Sequence, residues 1–118
     1  MRRAKRETAG VATVGAAEPI ARNDGIPARF QLAGHTIRVK VISPSKWRHG
    51  KNCVGMWLPD RYEIHLLSTC KGTHRQQVWA HEAIHALLDV AGLDELSSDE
   101  SKVDLLGHLL QQMLTTME

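Results

Sequence analysis

Two of the seven histidines stand four residues apart, with a glutamate directly after the first, in the run His81-Glu82-Ala83-Ile84-His85. Residues four apart on an α-helix share one face, so two ring nitrogens at this spacing can bind one ion at about 2.0–2.1 Å. Glu82 is turned by about 100° from His81 and does not easily reach the same ion. It can reach a water beside that ion, where hydrolysis needs a general base. The chemistry this spacing allows is metal-assisted hydrolysis, with zinc as the expected ion and Glu82 as the expected catalytic residue.

The neighbours of the run make idle polar groups costly. Val78, Trp79, Ala80, Ala83, Ile84, Ala86, Leu87, Leu88, Val90 and Ala91 leave the segment almost without a polar face, as in a helix that belongs in an interior. Burying a carboxylate and two imidazoles unpaired there would cost several kcal/mol, a sizeable part of a small domain's stability. A metal ion compensates them directly. A helix whose histidines bind nothing does not.

A catalytic zinc needs a third protein ligand and leaves its fourth position to water. The acidic residues after His85 are Asp89, Asp94, Glu95, Asp99, Glu100 and Asp104. Asp89 points along the same helix, a poor position for closing a tetrahedron. A second helix folding back after the Gly92–Ser97 connection is a better source. Stepping about 100° per residue along it places Asp99 near the centre of the apolar stripe, Glu100 on its margin and Asp104 well off it. Glu100 has the longer side chain and is the first choice. Asp99 and Asp104 stay open as alternatives, with His108 and His65 behind them.

The elements that must position these residues are legible from periodicity and caps. Thr73-His74-Arg75-Gln76 has the form of a capping box, which predicts a helix from there to about Ala91 with Gly92 as its stop. Ser97 with Glu100 offers a second box. The helix after it carries Val103, Leu106, Leu109, Leu110, Met113 and Leu114 at three- and four-residue spacing. Upstream, Arg29–Leu32 and His35–Ile42 flank Ala33-Gly34 as a hairpin, with Ile37, Val39 and Val41 on one face. Val54, Met56 and Leu58 form one face of a third strand, and Tyr62, Ile64 and Leu66 one face of a fourth, joined through Pro59-Asp60. Ser43–Asn52 is turn-rich and predicts a loop. The fold class expected is α+β: a small antiparallel or mixed sheet of two hairpins, then the helix bearing the two histidines and a second packed helix. Residues 1–26 hold few large aliphatics and no periodicity, which predicts a disordered tail before a single domain at 27–118.

A formal net charge of +2 is too small to argue for nucleic acid. The cluster Arg2, Arg3, Lys5 and Arg6 reads as a solvated terminus. No apolar run approaches a membrane span and no charged start leads into an apolar signal segment, so a cytosolic location is expected. Cys53 and Cys70 fit no CxxC pattern and read as ordinary reduced thiols.

The stretch from Val78 to Leu114, VWAHEAIHALLDVAGLDELSSDESKVDLLGHLLQQML, resembles the minimal gluzincin-type metallopeptidases of phages and mobile elements, relatives of the ImmA/IrrE group. The segment Gly55–Leu66 is similar to the hairpin which that family places before its zinc helix. Together these cover roughly half the chain. The resemblance implies zinc held by His81, His85 and Glu100, Glu82 as base, and the last strand as a substrate-side edge. On this reading the protein is a zinc peptidase acting on a peptide or protein substrate, with an edge strand over Tyr62–Leu67 holding an extended peptide. Tyr62, His65 and His74 are candidates for stabilising the oxyanion. Two other classes stay in view. One is a protein-binding module that keeps zinc without turnover. The other is a nucleic-acid accessory protein using Arg38, Lys40, Lys46, Arg48 and Lys51.

Overall fold

The structure, a computed structural model, describes residues 24–118. We number its strands β1 (Arg29–Leu32), β2 (His35–Ile42), β3 (Gly55–Leu58) and β4 (Glu63–Leu67), and its helices α1 (Gly72–Val90), α2 (Asp94–Ser97) and α3 (Glu100–Thr116). In β2, Ile37 and Val39 are buried while Arg38 and Lys40 are exposed, which is the alternation expected of a strand covered on one face. β1 pairs antiparallel with β2 through a two-residue turn. Both turn residues have positive φ, 50° at Ala33 and 83° at Gly34. That is the twist a tight hairpin prefers; glycine adopts it freely, whereas Ala33 pays roughly 1–2 kcal/mol in Cβ crowding.

β3 and β4 form the second antiparallel pair, and β4 lies parallel to β2. The resulting order is β1-β2-β4-β3, a four-stranded mixed sheet. A parallel pair needs a long return path, and the Ser43–Val54 loop with β3 supplies it. Two expectations change here. β4 is an inner strand, paired on both sides, so Tyr62–Leu67 is not a sheet edge. The register sets Trp57 opposite Ile64, so Trp57 and not Met56 or Leu58 faces the core.

The sheet's inner face packs on α1. Ile37, Val39, Trp57, Ile64 and Leu66 meet Trp79, Ala80, Ala83 and Ala86, whose mostly small side chains let the helix approach closely. The other side of α1, through Ile84 and Leu88, packs on Val103 of α3, with Leu96, Leu106 and Leu110 around them. α1 is therefore covered by the sheet on one side and by α2 and α3 on the other, as its nearly all-round apolar sequence requires. The fold is α+β.

Helix ends depart from the expected caps at two places. α1 begins at Gly72 after Lys71, with no side-chain cap, so the Thr73 box does not form. Gln76 instead donates to the Asp24 carbonyl. At the far end Gly92 takes φ 77°, its N–H bonds the Asp89 carbonyl and Leu93 N–H bonds the Leu88 carbonyl, the glycine stop read from sequence. Ser97 closes the short α2 and does not cap α3. Asp99 does, accepting from Lys102 N–H.

The boundary of the packed region also lies earlier than Pro27. Ile26 is buried in the main core, and Asp24 forms a half-buried ion pair with Arg75 at 3.0 Å. Residues 1–23, including the basic cluster, lie outside the described residues.

Candidate metal centre

His81 and His85 project from one face of α1 with ring centroids 5.0 Å apart. What brings a carboxylate to them is the crossing of α3. Gly107 lies against the backbone of α1: a Cβ at this position would sit 3.1 Å from both Cα and N of His81. Glu100 is seven residues earlier, two helical turns away on nearly the same face. A close crossing at Gly107 therefore hangs the first turn of α3 over the two imidazoles.

Glu100 Oε1 lies 2.9 Å from His81 Nε2, and its Oε2 lies 3.3 Å from His85 Nε2. One ligand atom from each of the three residues falls within 4.8 Å of the others, the one such group among the described residues. Four ligands around an ion at about 2.0–2.1 Å stand roughly 3.3 Å apart, and the two separations from Glu100 to the histidines are close to that value. Two imidazoles and a carboxylate are a donor set that zinc accepts readily. With Ser97 no longer a helix cap, Glu100 has no cap to close and is free to serve the cluster.

Both rings are held from behind. Asp104 Oδ1 is 3.3 Å from His81 Nδ1, and Ser97 Oγ is 3.0 Å from His85 Nδ1. An ionised carboxylate only accepts, so with an ion standing between Nε2 and Glu100 the ring proton would go to Nδ1 and Asp104, leaving the Nε2 lone pair for the ion. Ser97, buried at the end of α2, can accept in the same way. Asp104 thus stands behind a histidine, with Glu100 in the position that both residues were candidates for.

Glu82 sits on the side of α1 that faces β3. Its Cγ and Val78 close over Gly55, where a Cβ would overlap the Val78 side chain. Burial pushes its carboxyl above the usual range, against the opposing pull of His81, of His85 and of a hydrogen bond from the Trp57 backbone N–H. Trp57 also donates its indole Nε1–H to Asp89 Oδ2 at 2.7 Å. One residue of β3 is therefore fastened to α1 twice, at Glu82 and two turns later at Asp89. Leu67 N–H bonds the Val54 carbonyl, which sets Gly55 and Trp57 in the register positions whose backbone groups point away from β4. Among the described residues β3 is thus an edge strand running beside Glu82, with its Trp57 N–H given to Glu82 and its Gly55 carbonyl accepting from the Cys53 thiol.

The remaining sequence candidates lie elsewhere. Asp99 caps α3 and pairs with Lys102, and His108 approaches Asp104 at 3.9 Å. His65 is buried on the outer face of the sheet between His49 Nε2, at 3.0 Å, and Glu63 Oε1, at 2.9 Å. His74 contacts Cys70, and Tyr62 stacks on His35. None of these three approaches the His81–His85 face through those contacts. Cys53 and Cys70 are free thiols. Sequence reasoning missed Ser97 and Trp57. Ser97 was hidden by its resemblance to a cap, and the Trp57 contribution is a backbone group that residue type does not announce.

No protein-family model, curated protein or solved structure matches this chain. The site rests on its own geometry. Among the described residues no helix is long and apolar enough to cross a membrane.

Proposed function

We propose that this protein is a zinc-dependent metallohydrolase, and that it cleaves a peptide bond. The observation that carries the reading is the placement of Glu82. It stands next to a two-histidine, one-carboxylate group and also against a strand at the edge of the described sheet, so a base, a cation site and a docking edge for extended chain lie side by side. His81, His85 and Glu100 would hold the ion. When bound, zinc would supply Lewis acidity, polarising a carbonyl and bringing a water into the neutral titration range.

Glu82 takes the proton from the attacking water and returns it to the leaving amine. The Trp57 N–H fixes the carboxylate that does so. An extended substrate lies along β3, hydrogen-bonding to the outward-facing Gly55 N–H and Trp57 carbonyl, since Glu82 holds the Trp57 N–H and the Cys53 thiol bonds the Gly55 carbonyl. This replaces the Tyr62–Leu67 edge expected from sequence. A module that binds zinc without turnover would need Glu82 only to fasten Trp57, and the nearness of the same carboxylate to the two histidines favours the enzyme.

Elemental analysis of protein purified without added metal tests the ion: about one zinc per chain is expected, and none in His81→Ala/His85→Ala. Glu82→Gln tests the base. It keeps shape and metal but should lose cleavage of a peptide library by at least about a hundredfold, the lower range for a positioned general base. A variant cleaving at the wild-type rate would remove Glu82 from the mechanism. A zinc-loaded wild type inert across the library would support the binding module.

A further inference from the structure

Seven large apolar side chains are exposed among the described residues, and five of them belong to α3 or the residue that closes it: Leu105, Leu109, Met113, Leu114 and Met117. Leu105, Leu109 and Met113 are 57%, 53% and 55% exposed and recur every four residues, one row along the outer face of the helix. They are distinct from the buried seam of Val103 and Gly107. The core accounts for that seam but not for this row. Its exposed surface is on the order of several hundred Å², the size at which an apolar patch on a soluble domain marks an interaction site.

We propose that this row is a self-association surface, on which a second copy of the chain packs its own α3 antiparallel about a two-fold axis near Leu109. The row is self-complementary. With Leu109 at the axis, Leu105 of each copy meets Met113 of the other, and ridges spaced by four interlock with ridges of the same kind. The charges agree with the antiparallel sense. Lys102 flanks the N-terminal end of the row with its side chain 65% exposed, and Glu118 lies just past the C-terminal end. Antiparallel packing sets each Lys102 beside Glu118 of the second copy and opposes the two helix dipoles. A parallel arrangement would set Lys102 against Lys102. A lipid surface is a poorer occupant, because it calls for several cations along the polar flank and α3 carries only Lys102. Two such rows together bury on the order of 600 Å², the size of a weak, transient contact, which is why the association is expected in the micromolar range. Glu100 and Asp104 are turned about 180° and 140° from Leu109, the centre of the row, so the pairing leaves the histidine cluster uncovered.

Sedimentation velocity of the full chain, from low to high micromolar, tests this. A concentration-dependent monomer–dimer equilibrium is expected. Leu109→Glu places two carboxylates at the axis and should return the protein to monomer, with unchanged circular dichroism because the side chain is exposed. Leu109→Met should keep the dimer. Lys102→Glu should weaken it at low salt, and adding Glu118→Lys should restore it. A wild type that is monomeric throughout overturns the proposal, as does a Leu109→Glu variant that still dimerises or an assembly that grows beyond two copies.

Discussion

His81 and His85 differ in what stands behind them. His81 Nδ1 faces a carboxylate, and His85 Nδ1 faces a hydroxyl, although both present Nε2 to Glu100. Outer partners of this kind fix ring tautomer and orientation, and their loss typically lowers metal affinity by about 10–100-fold. Asp104→Asn and Ser97→Ala should each fall in that range in chelator competition. Glu100→Gln, which removes a ligand, should cost more than either. Equal affinities for Asp104→Asn and wild type would show that the His81 contact does not orient the ring.

At the scale of elements, two contacts decide how the cluster is assembled. Gly107 lets α3 cross α1 at the His81 backbone, where a Cβ would meet backbone atoms at 3.1 Å and require the crossing to give by a few tenths of an ångström. Gly107→Ala gains helix propensity, yet it should lose about 1–3 kcal/mol in urea unfolding through overpacking, and weaken metal binding in parallel. If the variant is more stable than wild type, the crossing has slack. The second contact ties the Ser43–Val54 loop to the sheet through His49, His65 and Glu63. Burial, then the proximity of His65 and Arg61, holds the His49 pKa below its ordinary value. The unfolded chain therefore takes up this proton first, so the contribution of His49 is present above about pH 6.5 and is lost as pH falls through the lower folded value. At Glu63 burial acts upward, but the hydrogen bonds from His65 and Lys40 outweigh it and hold the carboxyl low. That anchor persists further into acid, down through the usual carboxylate range. Amide exchange over residues 47–53 should thus exceed its intrinsic pH trend below about pH 6, while β4 stays protected. Uniform protection of loop and strand would count against the tether.

For the whole molecule, the start of the packed chain matters more than composition suggests. Arg75 donates to the Asp24 carboxylate and to the carbonyls of Ser68 and Cys70, binding the entry of the chain to the start of α1. A chain beginning at Ile26 should keep a cooperative transition but lose about 1.5–3 kcal/mol, the scale of a hydrogen bond to a charged group. Removing metal with a chelator should lower the melting temperature of wild type and leave His81→Ala/His85→Ala unmoved, because binding energy of the ion is partly folding energy.

Local pattern by itself determined the four strands, the long helix with its glycine stop, and the two histidines with Glu82, since each depends on residues within a few positions of one another. The grouping of Glu100 with the two histidines was within reach through its longer side chain, although helical spacing alone set Asp99 nearer the centre of the apolar stripe. Only the tertiary structure decided that β4 lies inside the sheet and β3 at its edge, because a strand's sequence records which face is apolar and not which neighbour its backbone pairs with. It also decided that Asp99 caps α3 while Ser97 turns to His85: both residues have the chemistry of a cap, and the bend through α2 puts one at the helix start and the other against an imidazole. The alternation around Trp57 was misread for a related reason. Met56 and Leu58 are as apolar as the core requires, and it is pairing with Ile64 and fastening to Glu82 and Asp89 that turn Trp57 inward.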